Sequence, residues 1–307
     1  MPLEYDQNIY QGFLVQGNLR GAIEYLQQFP AKRELCEKYL VLFEEEKYLT
    51  FEEDSYLSGL LVCYQKYYRD VFYLGMEAEK AAKHLRDRLA EFFCIEDGDM
   101  DEMEERVGRA FSDRGLHFLG GKTGGFFGPY IWRVTEARSY EVELPGGVAK
   151  YTVNLLDGFI SRSWLDFISF GEIGTGGWTD GDGIINCVKE SYDLEGENFR
   201  VSLLKHEAQH AVDMARFGNI SSENLEYRAK LVELIYSSQR NLLHIFLWEA
   251  DDSRKENGHS RAAARIEEGF TRKLNACRKE METLPIAEVQ RIARELFVES
   301  DEEMSRN

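Results

Sequence analysis

The chain between Phe199 and Glu233 reads FRVSLLKHEAQHAVDMARFGNISSENLEYRAKLVE, and this stretch decides the predicted fold and the predicted site. It contains an H-E-x-x-H sequence in which His206 and His210 are four residues apart. An α-helix has about 3.6 residues per turn, so both imidazoles lie on one face, about 6 Å apart along the axis. Two imidazoles placed in this way can bind one metal ion, for which zinc is the usual occupant.

Glu207 follows the first histidine directly, which puts its carboxylate beside a water bound to the predicted metal. The sequence therefore predicts Glu207 as the general base that takes a proton from that water. The helix predicted around it, from about residue 199 to 217, has an apolar side, so its polar residues can face a cleft. A histidine pair that binds no metal is the alternative interpretation.

A catalytic zinc site needs a third protein ligand and leaves its fourth position to water. The residues near the motif include no suitable cysteine or further histidine, and Glu226 is the best candidate. The stop signals at Gly218 and Asn219 permit a second helix that runs back along the first. Ala229 lies one turn after Glu226 and keeps that face small enough for a close approach to the metal helix.

Three other carboxylates compete with Glu226 for the role of third ligand. Asp213 lies on the same side of the helix as the histidines, but it is short, so a supporting role or a surface charge is expected. Glu223 falls in the first turn of the second helix, where the helix dipole explains an acidic residue. Glu233 lies two turns beyond Glu226 and is expected to support the site or to form a salt bridge.

The two helices resemble those of the gluzincin metallopeptidases, in which a helix bearing the third ligand in an E-x-x-A-like setting follows the H-E-x-x-H helix. The resemblance covers roughly residues 152–266. A later stretch, HSRAAARI from His259 to Ile266, is similar to the H-P-x-x-x-x-R-I stretch of HtpX-type gluzincins, with Ser260 in place of the proline. That similarity implies that His259 reaches the cleft and stabilises the oxyanion, and that Arg265 braces it. HtpX-type peptidases are membrane-embedded, so the likeness is limited to the catalytic core, and a histidine near an exposed helix start is the alternative.

The order of helices, strands and helices along the chain predicts an α+β fold with segregated elements. Residues 1–95 carry apolar stripes at helical spacing and are predicted to form a helical domain, with a protein partner as one expected role. Core packing is the preferred interpretation of its aromatic stripes, over a peptide-binding surface. Residues 96–115 are predicted as an acidic linker with a short helix. Residues 116–307 are predicted as a zincin-like metallopeptidase domain with a small, mainly antiparallel sheet and an active-site helix.

Within this last domain, alternating apolar and polar residues predict a β-hairpin formed by residues 140–144 and 151–155. Pro145-Gly146-Gly147 supplies its turn. Two further strands are predicted at Phe167–Phe170 and Gly183–Val188. The second of them is the candidate to receive a peptide substrate as an added strand, as the resemblance implies. An ordinary interior strand is the alternative.

A formal charge of −18 over 307 residues argues against nucleic acid and against anionic membranes, because binding either needs clustered lysine and arginine. The five cysteines are scattered and include no C-x-x-C pair, which indicates reduced thiols. The N-terminus lacks the pattern of a signal peptide, and no apolar run is long enough to span a bilayer. We therefore expect a cytoplasmic protein that binds neither nucleic acid nor membrane.

These features and the gluzincin resemblance together predict zinc-dependent hydrolysis of peptide bonds in a peptide or protein substrate. One zinc ion per chain would be held by His206, His210 and Glu226. Two alternatives stay open. In the first, the zinc site is structural or inactive and the chain acts as a helical scaffold or regulator. In the second, zinc catalyses the hydrolysis of a non-peptide amide or ester.

Overall fold

A computed structural model of the chain describes residues 4–51, 54–96, 98–179, 183–239, 241–252, 257–275 and 277–306. It confirms the predicted α+β class. The α-helices are α1 Gln7–Val15, α2 Leu19–Leu26, α3 Arg33–Tyr39, α4 Ser55–Tyr68, α5 Ala78–Phe93, α6 Met100–Ser112, α7 Ser163–Ile168, α8 His206–Phe217, α9 Ser222–Tyr236, α10 Leu242–Glu249, α11 Gly258–Leu274, α12 Arg278–Met281 and α13 Ile286–Arg306. The strands are β1 His117–Leu119, β2 Lys122–Thr123, β3 Phe126–Phe127, β4 Tyr130–Trp132, β5 Val134–Leu144, β6 Gly147–Asp157, β7 Ser161–Arg162, β8 Gly177–Thr179 and β9 Ile185–Val188.

The contacts within the chain divide it into two compact units. The first contains the chain up to Val134 together with Asp157–Thr175, and the second contains Thr135–Leu156 and the chain from Gly176 onward. The predicted division at residues 96–115 therefore lies inside the first unit. Most of that segment forms α6, and its residue 97 lies outside the described residues.

Short strands after α6 belong to the first unit because their apolar side chains are buried with its helices. Leu116, Phe127 and Ile131 share one core with the side chains of α1 to α6. β1, β4 and β7 form a three-stranded sheet in the order β1-β4-β7, and β2 pairs with β3. The aromatic residues Tyr64 and Tyr67 of α4 are almost fully buried in this core, which confirms core packing for most of the predicted stripe.

The predicted strand at Phe167–Phe170 is wrong. This segment belongs to α7 and the turn after it, because Trp164 and Ile168, four residues apart, are both buried in the core of the first unit. A short apolar run gives no periodicity that separates a strand from a buried helical turn.

The second unit contains a four-stranded mixed sheet in the order β5-β6-β9-β8. The predicted hairpin is confirmed, since β5 and β6 are neighbours joined at Pro145-Gly146. β6 pairs in parallel with β9, and β8 pairs antiparallel with β9. β9 thus has a strand on each side, so the prediction that it receives a substrate strand is wrong and the interior alternative holds.

Apolar side chains from the sheet of the second unit and from helices α8 to α13 pack together in one core. The predicted helix from residue 222 to about 250 is divided into α9 and α10. The division follows from Glu197, whose carboxylate accepts hydrogen bonds from the Ser237 hydroxyl and the Ser238 amide, both at 2.7 Å. None of the helices in the described part of the chain has the length and apolar character needed to cross a bilayer.

Candidate metal centre

The helix that carries the H-E-x-x-H sequence is held against the core of the second unit. A π-helical segment, Asn198–Lys205, leads without a break into α8 at His206. Phe199 and Ala208 are fully buried, and the hydroxyl of Tyr151 on β6 donates to the Ala208 carbonyl at 3.3 Å. These contacts hold the apolar side of α8, opposite its polar residues, in place.

His206 and His210 lie next to each other on α8, as their spacing predicts. Their ring centroids are 4.5 Å apart, and the two side chains are about nine-tenths buried. With Glu207 they form a group whose potential ligand atoms all lie within 4.8 Å of one another. Two imidazole nitrogens and one carboxylate oxygen of the motif therefore lie close enough together to contact one metal ion.

α9 packs beside α8 and brings Glu226 to both histidines. Its Oε2 lies 3.4 Å from Nε2 of His206, and its Oε1 lies 3.5 Å from Nε2 of His210. Two atoms that bind the same tetrahedral zinc at about 2.0–2.1 Å are about 3.3–3.4 Å from each other. Each oxygen of the Glu226 carboxylate thus lies about as far from one imidazole nitrogen as two ligands of the same zinc ion lie from each other.

Glu233 supports the first histidine from the same face of α9. Its Oε1 lies 2.7 Å from Nδ1 of His206, and both side chains are nearly buried. Metal-binding histidines usually have the second ring nitrogen bound to a carboxylate, which fixes the ring and leaves the first nitrogen for the metal. The sequence predicts that Glu233 supports the site or forms a salt bridge, and its contact with Nδ1 leaves Nε2 of His206 as the nitrogen for a ligand.

At this site, burial and neighbouring charges act on the pKa values of His206 and Glu226 in opposite directions. Burial alone would lower the pKa of His206, but its contacts with Glu226 and Glu233 outweigh this effect and raise the pKa to about 10. Burial would likewise raise the pKa of Glu226, but the surrounding imidazoles of His206, His210 and His259 hold it well below its usual range. The Glu226 carboxylate is therefore ionised, and its negative charge attracts cations to the space between Glu226 and the two histidines of α8.

Two buried polar atoms at this point form no hydrogen bond within the described part of the chain. They are Nδ1 of His210 and Oε2 of Glu226. Uncompensated buried polar atoms are unusual in proteins and require an explanation. A metal ion held by His206, His210 and the Glu226 carboxylate would place positive charge beside this oxygen, so the residues present fit a zinc ion.

His259, which the resemblance assigns to the cleft, does lie at this site. It is near the start of α11, and its Nδ1 is 2.8 Å from Oε2 of Glu226. Arg265 does not brace it. The guanidinium of Arg265 instead donates to Asn224 and to Glu303, each at 2.7 Å.

Two of the competing carboxylates are engaged elsewhere. Asp213 is fully buried and pairs with Arg228 at 2.9 Å, so it is neither a ligand nor a surface charge. Glu223 pairs with Arg261, near the start of α11. The described geometry leaves Glu226 as the candidate third ligand.

The sequence interpretation missed a buried polar network next to the site. Arg228 on α9 donates to Asp213, to Asp301 at 3.1 Å and to the Ser300 hydroxyl at 3.5 Å. Gln209 of α8 donates to the other oxygen of Asp213 at 2.9 Å. The network connects α8, α9 and α13, and no local sequence pattern identifies it, because its members are up to 92 positions apart from Gln209 to Asp301.

Comparisons of this chain with protein-family models, with curated proteins and with solved structures found no match. The chemistry of the site is therefore inferred from its own side chains.

Proposed function

We propose that the chain is a zinc metallopeptidase of gluzincin type, with a zincin-like catalytic domain in its C-terminal part. His206 and His210 would hold the zinc through Nε2, and Glu226 through its carboxylate. The observation that carries this proposal is the position of the Glu226 oxygens, 3.4 and 3.5 Å from the two Nε2 atoms. Two imidazoles and one carboxylate are a donor set that occurs in catalytic zinc sites, which supports the proposal.

Zinc, when bound, lowers the pKa of a coordinated water to near 7 and polarises the scissile carbonyl. Glu207 is the base of the reaction. A Glu207 carboxylate oxygen takes a proton from the attacking water and later delivers it to the nitrogen of the leaving amine. Its position in the first turn of α8, within 4.8 Å of the ligand atoms of both histidines, supports this role. The oxyanion role that the resemblance implies for His259 stays a prediction.

The substrate is proposed to be a peptide or protein. A cytoplasmic setting, the absence of nucleic-acid and membrane partners, and a protein partner for the N-terminal helices all stay predictions from the sequence. A scaffold with an inactive or structural zinc site, and a hydrolase of non-peptide amides, are the alternatives that the experiments have to separate.

Metal content tests the site. The protein, purified without added zinc, is expected to contain about one zinc per chain by mass spectrometry of the metal. Absence of zinc, together with no uptake on titration, would overturn the proposal and its non-peptide alternative alike.

Activity tests the reaction. The wild-type protein is expected to cleave members of a peptide library, and Glu207→Gln is expected to keep its zinc while losing about 10²–10⁴-fold in rate. A variant that keeps both zinc and full activity would exclude Glu207 as the base. Zinc without any peptide cleavage would favour the scaffold, and cleavage restricted to simple amides or esters would favour the non-peptide hydrolase.

A further inference from the structure

His259 contacts the site through Glu226. The distance of 2.8 Å between its Nδ1 and Oε2 of Glu226 is that of a direct donor and acceptor. It is clearly shorter than the 3.4 and 3.5 Å that separate the Glu226 oxygens from the two histidines of α8. The distances thus separate two kinds of contact. His259 touches Glu226 directly, whereas His206 and His210 lie at the distance expected for residues that bind the same metal ion as Glu226.

We propose that His259 is a positioning residue of the zinc site, which holds Oε2 of Glu226 and turns Oε1 toward the metal. The inference rests on the proposed zinc function and deepens it. A carboxylate that binds a metal through one oxygen is usually hydrogen-bonded at the other oxygen, and this contact fixes its rotation. Without such a contact the Glu226 carboxylate would rotate about its last bond, and the metal would be bound less tightly.

The packing of two helix starts determines the position of His259. Gly258 lies so close to Ser222 that a Cβ atom at position 258 would collide with the Ser222 hydroxyl oxygen. α11 therefore begins directly beside the start of α9, and Glu226 is one helical turn further along α9. A side chain at position 259 is thereby placed opposite the carboxylate of Glu226.

The imidazole of His259 is free to adjust to the carboxylate. Its side chain is 56 % exposed, and Glu226 is its one polar partner among the residues that the structure describes. Nδ1 of His259 lies close to Oε2 of Glu226, but the two atoms are not aligned for a hydrogen bond. Oε2 accordingly has no hydrogen-bond partner within the described part of the chain. In the proposed metal-bound state the exposed ring turns so that Nδ1–H points at Oε2 of Glu226.

Zinc affinity measured by chelator competition on the full chain tests the inference. His259→Ala is expected to weaken zinc binding about 10–100-fold, the usual effect of removing a group that orients a ligand. His259→Asn places an amide donor near the position of Nδ1 and is expected to restore most of the loss. His244→Ala is the matched control, because His244 is 55 % exposed, contacts Glu282 at 3.5 Å and lies outside the site.

X-ray absorption of the zinc-loaded wild type separates a positioning residue from a ligand. Two imidazoles around the zinc are expected, and three would overturn the inference in favour of His259 as a ligand. Equal zinc affinity of the wild type and His259→Ala would also overturn it, while the proposed function would stand. A wild type that binds no zinc would overturn both. Circular dichroism of the metal-free variants establishes that each has folded.

Discussion

Nδ1 of His206 lies 2.7 Å from Oε1 of Glu233, which is seven residues beyond Glu226 on the same face of α9. Seven residues are two helical turns, so one helix presents two carboxylates to two nitrogens of one imidazole. Glu226 is near Nε2 and Glu233 is at Nδ1. The proposed ligand and the group that orients its neighbour are therefore fixed relative to each other by the geometry of α9 alone.

Glu233→Ala is expected to lower zinc affinity about 10–100-fold, because His206 loses the partner that fixes its ring and its tautomer. Glu233→Gln keeps an oxygen acceptor at the same place and is expected to lose less. Chelator competition measures both, with Glu288→Ala in the first turn of α13, where Glu288 pairs with Arg291, as a control. Unchanged affinity in Glu233→Ala would show that His206 is oriented by other contacts.

Glu226→Ala is expected to weaken zinc binding more than the 10–100-fold typical of a supporting residue, because it removes the proposed third ligand. Both histidines keep their positions on α8 in this variant, so any residual binding reports on two imidazoles alone. Zinc titration with a chelating indicator measures the difference. Affinity equal to that of the wild type would exclude Glu226 as the third ligand.

Zinc affinity is expected to rise with pH. The pKa of His206 is raised from 6.5 to about 10, so the imidazole of the metal-free protein is protonated near neutral pH. Zinc has to displace this proton, and the apparent affinity therefore rises by up to about tenfold per pH unit until the pH reaches about 10. Competition titrations at pH 7, 8 and 9 measure the slope, and a flat profile over that range would contradict the expectation.

The same shift has the opposite effect on the metal-free protein. A pKa that is raised on folding stabilises the folded state fully below the unfolded value of 6.5, and this contribution is lost as the pH rises toward about 10. The free energy of unfolding without zinc is thus expected to fall between pH 7 and 9, and less so in Glu233→Gln. Urea denaturation in a chelating buffer measures it.

The parts of the site that the sequence predicts are those fixed by spacing on one helix or on two consecutive helices. His206, Glu207 and His210 come together because they lie within one helical turn, and Glu226 follows after a short loop. The contact of Glu233 with His206 agrees with its two-turn separation from Glu226, which puts both side chains on one face of α9.

The parts that the sequence does not predict depend on contacts between distant segments. β8 consists of Gly177, Trp178 and Thr179 in a glycine-rich stretch, which has no alternation of apolar and polar residues. The sequence therefore does not predict that β8 pairs with β9, or that β9 is an interior strand. The boundary between the units is not predicted for the same reason. The chain passes into the second unit after Val134, where it forms most of β5 and β6, and returns to the first unit at Asp157.

Asp213→Ala is expected to destabilise the protein by about 3–5 kcal/mol, because it leaves the guanidinium of Arg228 buried without its main counter-charge. Both side chains of this pair are 0–1 % exposed, and the pair connects α8 to α9. Arg216→Ala is the matched control. Arg216 pairs with Asp301 at 2.6 Å but is 48 % exposed, so its loss is expected to cost about 0–1 kcal/mol. Urea denaturation of the zinc-free proteins measures both changes, and equal effects would show that the Asp213–Arg228 pair stabilises the fold no more than a surface contact does.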